Sequence, residues 1–177
     1  NGTGSGRHRH HTRYIHRERR NRCRHFYENI YKGLGITRHL CKHHDSNTAK
    51  QTIMLLENSF YKILHKEVDG LSGRFTIAIL PDCNVYEGHF PNDPVCPGVC
   101  NIETIKECAM LLTGKELRIK SIKQCRLTAI ATPSVCPEVT VTVTATPAAD
   151  NTYTVLASIK DDAQTYMEYK GIMEYPN

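Results

Sequence analysis

The chain has 177 residues, enough for one domain with a sizeable core and short for two. Its hydrophobic share of 40% and charged share of 23% are ordinary for a soluble globular domain. No apolar run approaches the roughly 18 to 20 residues needed to cross a bilayer, and the first residues lack the apolar segment of a secretory signal. These features argue against a membrane-spanning helix and predict a cytoplasmic protein without a membrane partner.

Charge divides the chain into two parts. Residues 1–50 carry 12 Lys and Arg against 3 Asp and Glu, whereas residues 51–177 carry 11 against 15. The first part is also rich in histidine and sustains no apolar period, apart from a short pattern from Phe26 to Leu34 that is compatible with one helix. We therefore interpret residues 1–53 as a basic extension, disordered or foreign to the domain, and residues 54–177 as the domain. A basic arm for nucleic acid is the less favoured alternative, because no folded nucleic-acid motif accompanies the charge.

The cysteines of the chain are scattered, and no two of them form a C-x-x-C pair. Such a pair would be expected in a zinc ribbon or a thioredoxin-like site. In a cytoplasmic protein, isolated cysteines usually act as small apolar residues that fill the core. We therefore expect no metal. The residues concerned are Cys23, Cys41, Cys83, Cys96, Cys100, Cys108, Cys125 and Cys136.

The domain opens with two predicted strands. Ser59–Val68 and Gly73–Leu80 are typical of extended segments, and Asp69-Gly70 between them predicts a turn. The stretch from Pro81 to Pro97 is rich in Pro, Asn, Asp and Gly, so we expect a structured loop there.

A helix is predicted from Pro97-Gly98 to about Thr113, with Gly114 as its C-cap. Apolar residues recur within it at spacings of three and four, which gives one apolar stripe. The stripe consists of Val99, Ile102, Ile105, Ala109 and Leu112.

Only strands are predicted after the helix. Between residues 139 and 146, apolar residues alternate with Thr with a period of two, which is typical of a strand. The other candidates are Leu117–Ile130, Tyr153–Ile159 and Thr165–Met173. One helix beside this many antiparallel strands indicates an α+β layering. The order of elements resembles the hot-dog fold, a curved antiparallel sheet wrapped around one long central helix.

The loop before the helix contains a histidine in rigid surroundings. His89 is followed by Pro91, Pro94 and Pro97, and each proline fixes a backbone φ angle. A general base needs such rigid placement, because a small displacement costs rate. A histidine in a loop is nevertheless more often structural or solvated than catalytic.

Two residues of the predicted helix add to this pattern. Gly98 stands at its start, where unpaired N–H groups and the positive end of the dipole can hold an oxyanion. Glu103 stands one turn later at the edge of the apolar stripe, where partial burial would raise its pKa and let it act as an acid. A routine surface ion pair with Lys106 is the alternative for this glutamate.

The stretch from His89 to Glu103 resembles the active-site motif of the 3-hydroxyacyl-acyl-carrier-protein dehydratases of fatty-acid synthesis, the FabZ- and FabA-like enzymes. Their motif has the pattern H-F-P-G-x-P-V-x-P-G-V-x-x-x-E, and nine residues match it over fifteen positions without a gap. The matching residues are His89, Phe90, Pro91, Pro94, Val95, Pro97, Gly98, Val99 and Glu103. A weaker similarity extends over roughly residues 59–175, and residues 1–53 have no counterpart.

The resemblance implies roles for these residues. His89 and Glu103 would be the catalytic pair, the Gly98 N–H would polarise the thioester carbonyl, and Val99 and Phe90 would contact substrate. It implies an acyl carrier protein as partner, and no cofactor beyond the phosphopantetheine that carries the substrate. It also implies a homodimer, because the His and the facing Glu come from different subunits, and trimers of such dimers occur in the family.

Two positions depart from the family motif. Asn92 replaces the glycine after H-F-P, in a turn that asparagine tolerates. Glu107 replaces a common glutamine four residues after the acid, and this second change puts substrate positioning in question.

Two other functions stay open at this stage. One is a hot-dog acyl thioesterase that activates water, and the other is a non-catalytic module that binds an acyl chain or carrier protein.

Overall fold

The computed structural model describes residues 54–88 and 93–176. The predictions made for residues 1–53 lie outside this range, including the short helix near Phe26 to Leu34. The positions of His89, Phe90 and Asn92 also lie outside it.

The described residues form one six-stranded sheet in which every pair of neighbours is antiparallel. Each predicted strand is present, and the bounds differ from the prediction by a few residues at most ends. The strands are β1 Tyr61–Asp69, β2 Ser72–Ile79, β3 Arg118–Leu127, β4 Glu138–Ala148, β5 Thr152–Lys160 and β6 Thr165–Glu174. Their order across the sheet is β1-β2-β4-β5-β6-β3, so β1 and β3 lie at the two edges.

Alternating residues and turn residues explain these strands. The apolar residues of the Val and Thr alternation in β4, from Val139 to Ala145, are at most 2% exposed, so one face of the strand lies in the core. Gly70, which follows β1, has a φ of 55°, and Asp150 and Asn151 between β4 and β5 have φ values of 59° and 54°. Glycine, aspartate and asparagine are the residues that tolerate this left-handed conformation best.

The predicted helix is also present, as α1 Gly98–Thr113. It ends at Gly114, whose φ is 63° and whose N–H donates to the carbonyl oxygen of Met110, as expected of a glycine C-cap. The helix packs chiefly on β4 and also contacts β2, β3 and β5. The antiparallel sheet with one α-helix is therefore confirmed for the described residues, whereas the wrapping of the sheet around that helix stays a prediction.

The helix is more deeply buried than its apolar stripe indicated. Eleven of its 16 residues are buried, and they lie on all sides of the helix. Four of them are polar: Asn101, Glu103, Thr104 and Glu107. The predicted position of Glu103 on a half-buried edge was therefore wrong, because burial extends beyond the apolar stripe to polar positions of the helix.

Most of the described cysteines serve as core residues, as predicted. Cys83, Cys96, Cys100, Cys108 and Cys136 are buried and form no disulfide, whereas Cys125 is exposed. Burial raises the pKa of the Cys96 thiol to about 11 and that of Cys100 to about 12, so both are neutral near pH 7. In the part of the chain that the structure describes, no helix is long and apolar enough to cross a membrane.

Candidate active site

The end of the loop before α1 is held by contacts to two other segments. The N–H of Cys96 donates to the carbonyl oxygen of Ala131 at 2.8 Å. The Cys96 sulfur lies 3.6 Å from the hydroxyl of Tyr86, a buried residue of the 3₁₀ helix Asn84–Glu87. Cys96 and Pro97 are both buried, so the chain enters the helix from a fixed position.

The first residues of α1 present backbone N–H groups. Pro97 precedes the helix and supplies no side-chain cap, and its carbonyl oxygen accepts from the N–H groups of Cys100 and Asn101. Gly98 and Val99 are only half-buried, and the first N–H groups of a helix have no partner within it. Gly98 therefore stands at the first position of the helix, as predicted, and its part in holding an oxyanion stays a prediction.

The end of β3 lies directly beside this helix start. A Cβ atom added to Gly98 would lie 3.1 Å from Cδ1 of Leu127, the last residue of β3. Leu127 is nevertheless 59% exposed. The helix start therefore lies next to an apolar side chain on an edge strand of the sheet.

Glu103 is buried one turn further along α1, with a relative exposure of 8%. The Nζ atom of Lys106 lies 2.5 Å from its Oε1, and both side chains are almost fully covered. The pair that the sequence left open as an alternative does form, but it lies in the interior instead of on the surface. The contact is an ion pair whenever the Glu103 carboxyl is ionised.

The surroundings of Glu103 favour its protonated form. Burial raises the pKa of its carboxyl above the usual 4.5, the Lys106 ammonium opposes that rise, and the nearby Glu107 carboxylate adds to it. A carboxyl group with a raised pKa keeps its proton to higher pH than an ordinary glutamate, which suits a group that gives a proton to a leaving group.

Glu107 has a role that the sequence did not reveal. It is fully buried, and its Oε1 accepts from the N–H groups of Leu55 and Leu56 at 2.5 and 2.9 Å. Its Oε2 accepts from the N–H of Glu57 at 3.2 Å and from the hydroxyl of Tyr61 at 2.8 Å. Glu107 thus ties the segment before β1 to the helix, and its oxygens are engaged with the protein.

Two features of the sequence-predicted site thus lie on the first two turns of one helix, namely the N–H groups at Gly98 and the carboxyl of Glu103. The sequence singled out Glu107 only as a departure from the family motif, four residues after Glu103. Its donors could not be identified, because they lie 46 to 52 residues earlier in the chain. Among residues 54–88 and 93–176, no three His, Cys, Asp or Glu side chains converge as metal ligands.

Comparison with protein families gives one match. The sequence model of the ApeI-like family, described as ApeI dehydratase, matches residues 65–168, which is more than half of the chain. The chain belongs to the ApeI-like dehydratase family. This assignment agrees with the resemblance to FabZ- and FabA-like enzymes that the motif carries.

The chain also has curated relatives of low sequence identity. The chain is 27% identical over 96 residues to the 3-hydroxyacyl-acyl-carrier-protein dehydratase FabZ of Lactiplantibacillus plantarum, covering 48% of this chain and 65% of that protein. It is 27% identical over 97 residues to the FabZ of Levilactobacillus brevis, covering 49% and 66%. The matches thus span just under two thirds of these relatives' length.

Two solved structures are similar to the chain. One is the dehydratase heterocomplex ApeI:P from Xenorhabdus doucetiae, with a TM-score of 0.49, 19% identity, and coverage of 63% of this chain and 95% of that one. The other is an uncharacterized protein from Erwinia carotovora subsp. atroseptica, with a TM-score of 0.46, 16% identity, and coverage of 64% and 94%.

Proposed function

We propose that the protein dehydrates 3-hydroxyacyl thioesters on acyl carrier protein to trans-2-enoyl thioesters. The observation that carries the proposal is the buried carboxyl of Glu103, whose pKa is raised, on the helix that begins with the N–H groups at Gly98. A proton donor and an oxyanion site are two of the three groups that such an elimination requires. His89 would supply the third, a base.

In this mechanism, His89 removes a proton from the carbon next to the thioester carbonyl. The Gly98 N–H donates to the carbonyl oxygen, which gains negative charge as the enolate forms. Glu103 then gives its proton to the departing hydroxyl group, the C–O bond breaks, and water leaves. His89 ends with one proton more and Glu103 with one fewer, and exchange with solvent restores both. The step is redox-neutral, so its balance requires no redox cofactor, and in this proposal the protein's own groups carry it without a metal.

We infer that the active unit is a homodimer with a hot-dog architecture. Burial on all sides of α1 supports a helix wrapped by the sheet. β3 is an edge strand, and it exposes Ile122 by 41% and Leu127 by 59%. Exposed apolar residues on an unpaired edge favour pairing with a second chain. A second copy of the chain would bring its own His89 towards Glu103. The substrate, bound to the carrier protein, would then enter between the two subunits. We place this reaction in the cytoplasm.

The test is turnover of 3-hydroxyacyl-carrier-protein substrates by the wild type, His89→Ala and Glu103→Gln. We expect the wild type to form enoyl product, and each variant to lose at least about a hundredfold in kcat/KM, the usual contribution of acid–base groups. If both variants still hydrate a crotonyl thioester at the wild-type rate, the assignment is wrong. Substrates of graded chain length would then define the acyl group and the pathway.

The same experiment separates two other functions. A hot-dog thioesterase would release free thiol from acyl thioesters, which a dehydratase does not. A non-catalytic module that binds acyl chains or carrier protein would turn over neither substrate, and it would need no buried acid. The raised pKa of Glu103 favours the dehydratase over the binding module.

A further inference from the structure

Two opposite charges on its own helix act on the carboxyl of Glu103. Lys106 follows it by three residues and touches it, with 2.5 Å between Nζ and Oε1. Glu107 follows by four residues, one turn of the helix. Side chains three and four residues apart lie on neighbouring parts of a helix surface, so both charges act on the same carboxyl.

Glu107 is surrounded by hydrogen-bond donors where it lies. Four donors point at its two oxygens, namely three backbone N–H groups and the hydroxyl of Tyr61. A carboxylate can accept from all four donors at once, so this geometry suits a negative charge at Glu107. Because Glu107 is fully buried, water screens its charge little.

The thiol of Cys100 also lies near Glu103. It is neutral near pH 7, because burial raises its pKa to about 12. Within residues 54–88 and 93–176, the charged groups that act on Glu103 are therefore Lys106 and Glu107. One favours the carboxylate and the other favours the carboxylic acid.

We propose that Lys106 and Glu107 are positioning residues for the proton of Glu103, with Lys106 a direct partner of the carboxyl and Glu107 a fixed counter-charge. The inference rests on the proposed function, in which Glu103 is the acid. Lys106 stabilises the carboxylate that remains after the hydroxyl has left, and it fixes the direction of the carboxyl. Glu107 prevents Lys106 from holding Glu103 permanently ionised. The opposition of the two charges lets Glu103 give up and regain its proton in a reversible reaction.

The direct experiment follows the ¹³Cδ signal of Glu103 with pH in full-length protein labelled at glutamate carboxyls. The signal is assigned by its loss in Glu103→Gln. We expect Lys106→Met to move the titration of Glu103 to higher pH and Glu107→Gln to move it to lower pH. Lys106→Arg keeps the positive charge and should stay near the wild type. Lys62→Met makes the same change on an exposed residue of β1 and should leave the titration in place.

Kinetics give a second readout. At a pH above the pKa values of both His89 and Glu103, kcat/KM follows the fraction of Glu103 that is protonated. In that range we compare kcat/KM at high pH with kcat/KM at the optimum pH. We expect this ratio to rise roughly three- to tenfold in Lys106→Met and to fall by a similar factor in Glu107→Gln. A residue with a purely structural role would change the amplitude of the profile and leave its position unchanged.

The outcomes separate this inference from the proposed function. If the wild type is active but the titration of Glu103 stays in place in Lys106→Met, the inference is overturned and the function stands. If the titration moves as expected and the wild type forms no enoyl thioester, the charges act on Glu103 as inferred but the proposed function fails. Glu107→Gln also weakens the hydrogen bonds that tie the segment before β1 to the helix. If this variant does not fold, the titration of Glu103 in Lys106→Met decides whether the inference holds.

Discussion

The hydroxyl of Tyr61 donates a hydrogen bond of 2.8 Å to Oε2 of Glu107, 46 residues later in the chain. It connects the first residue of β1 to the third turn of α1, and both residues are completely buried. Burial and the adjacent Glu107 carboxylate raise the pKa of Tyr61, so the phenol stays a donor at every physiological pH. This bond helps to fix the helix that carries Glu103.

Tyr61→Phe removes one donor from a buried carboxylate, and we expect it to lower the free energy of unfolding by about 1.5–3 kcal/mol. Urea unfolding measures this loss. Tyr166→Phe is the matched control, because the Tyr166 hydroxyl also donates to a carboxylate, that of Asp161, which is only partly buried. An equal loss in the two variants would contradict the role assigned to the buried charge.

Stability should depend on pH through Glu103. Its pKa is raised in the folded protein, chiefly by burial, so the folded state binds the proton more tightly than the unfolded state. The stabilisation from this proton is complete below the ordinary glutamate pKa of 4.5 and is lost as pH rises through the folded value. Urea unfolding of wild type and Glu103→Gln between pH 4 and about 8 tests this. We expect the variant to gain stability relative to the wild type with rising pH, and a constant difference would argue against it.

Gly98→Ala tests the start of the helix. The added Cβ would lie 3.1 Å from Cδ1 of Leu127, an exposed and flexible side chain that can move away. We therefore expect a change of less than about 1 kcal/mol in the free energy of unfolding. We expect kcat/KM to fall about tenfold or more, because a methyl group would keep the thioester carbonyl from the N–H group. Full activity in a folded Gly98→Ala would exclude a close approach of substrate to this residue.

Gly171→Ala should destabilise the sheet for a local steric reason. A Cβ at Gly171 in β6 would overlap the hydroxyl oxygen of Tyr169 and would lie 2.9 Å from the backbone oxygen of Ser121 in β3. The backbone contact cannot be relieved by a side-chain rotation, so we expect a loss of about 1–3 kcal/mol. In Gly88→Ala the new Cβ meets nothing within 4 Å, and the φ of −97° suits alanine. Similar unfolding midpoints for the two variants would refute the steric explanation.

The sequence alone determined the elements and the helix start. The Val and Thr alternation predicted β4, and the residues from Pro97 to Gly114 predicted both ends of α1. These signals are local, because side-chain period and backbone φ depend on residues a few positions apart. The motif from His89 to Glu103 is also local, and it identified the family that the match over residues 65–168 confirmed. The role of His89 stays a prediction, since that residue lies outside the described range.

Only the tertiary structure decided the position of β3 beside β6, the burial of α1 on all sides and the partners of Glu107. Each of these depends on residues that are distant in the chain and come together only when the sheet forms. The charge environment of Glu103 belongs with them. A carboxyl predicted on a half-buried edge lies in the interior because its helix is buried on all sides, and that burial raises its pKa.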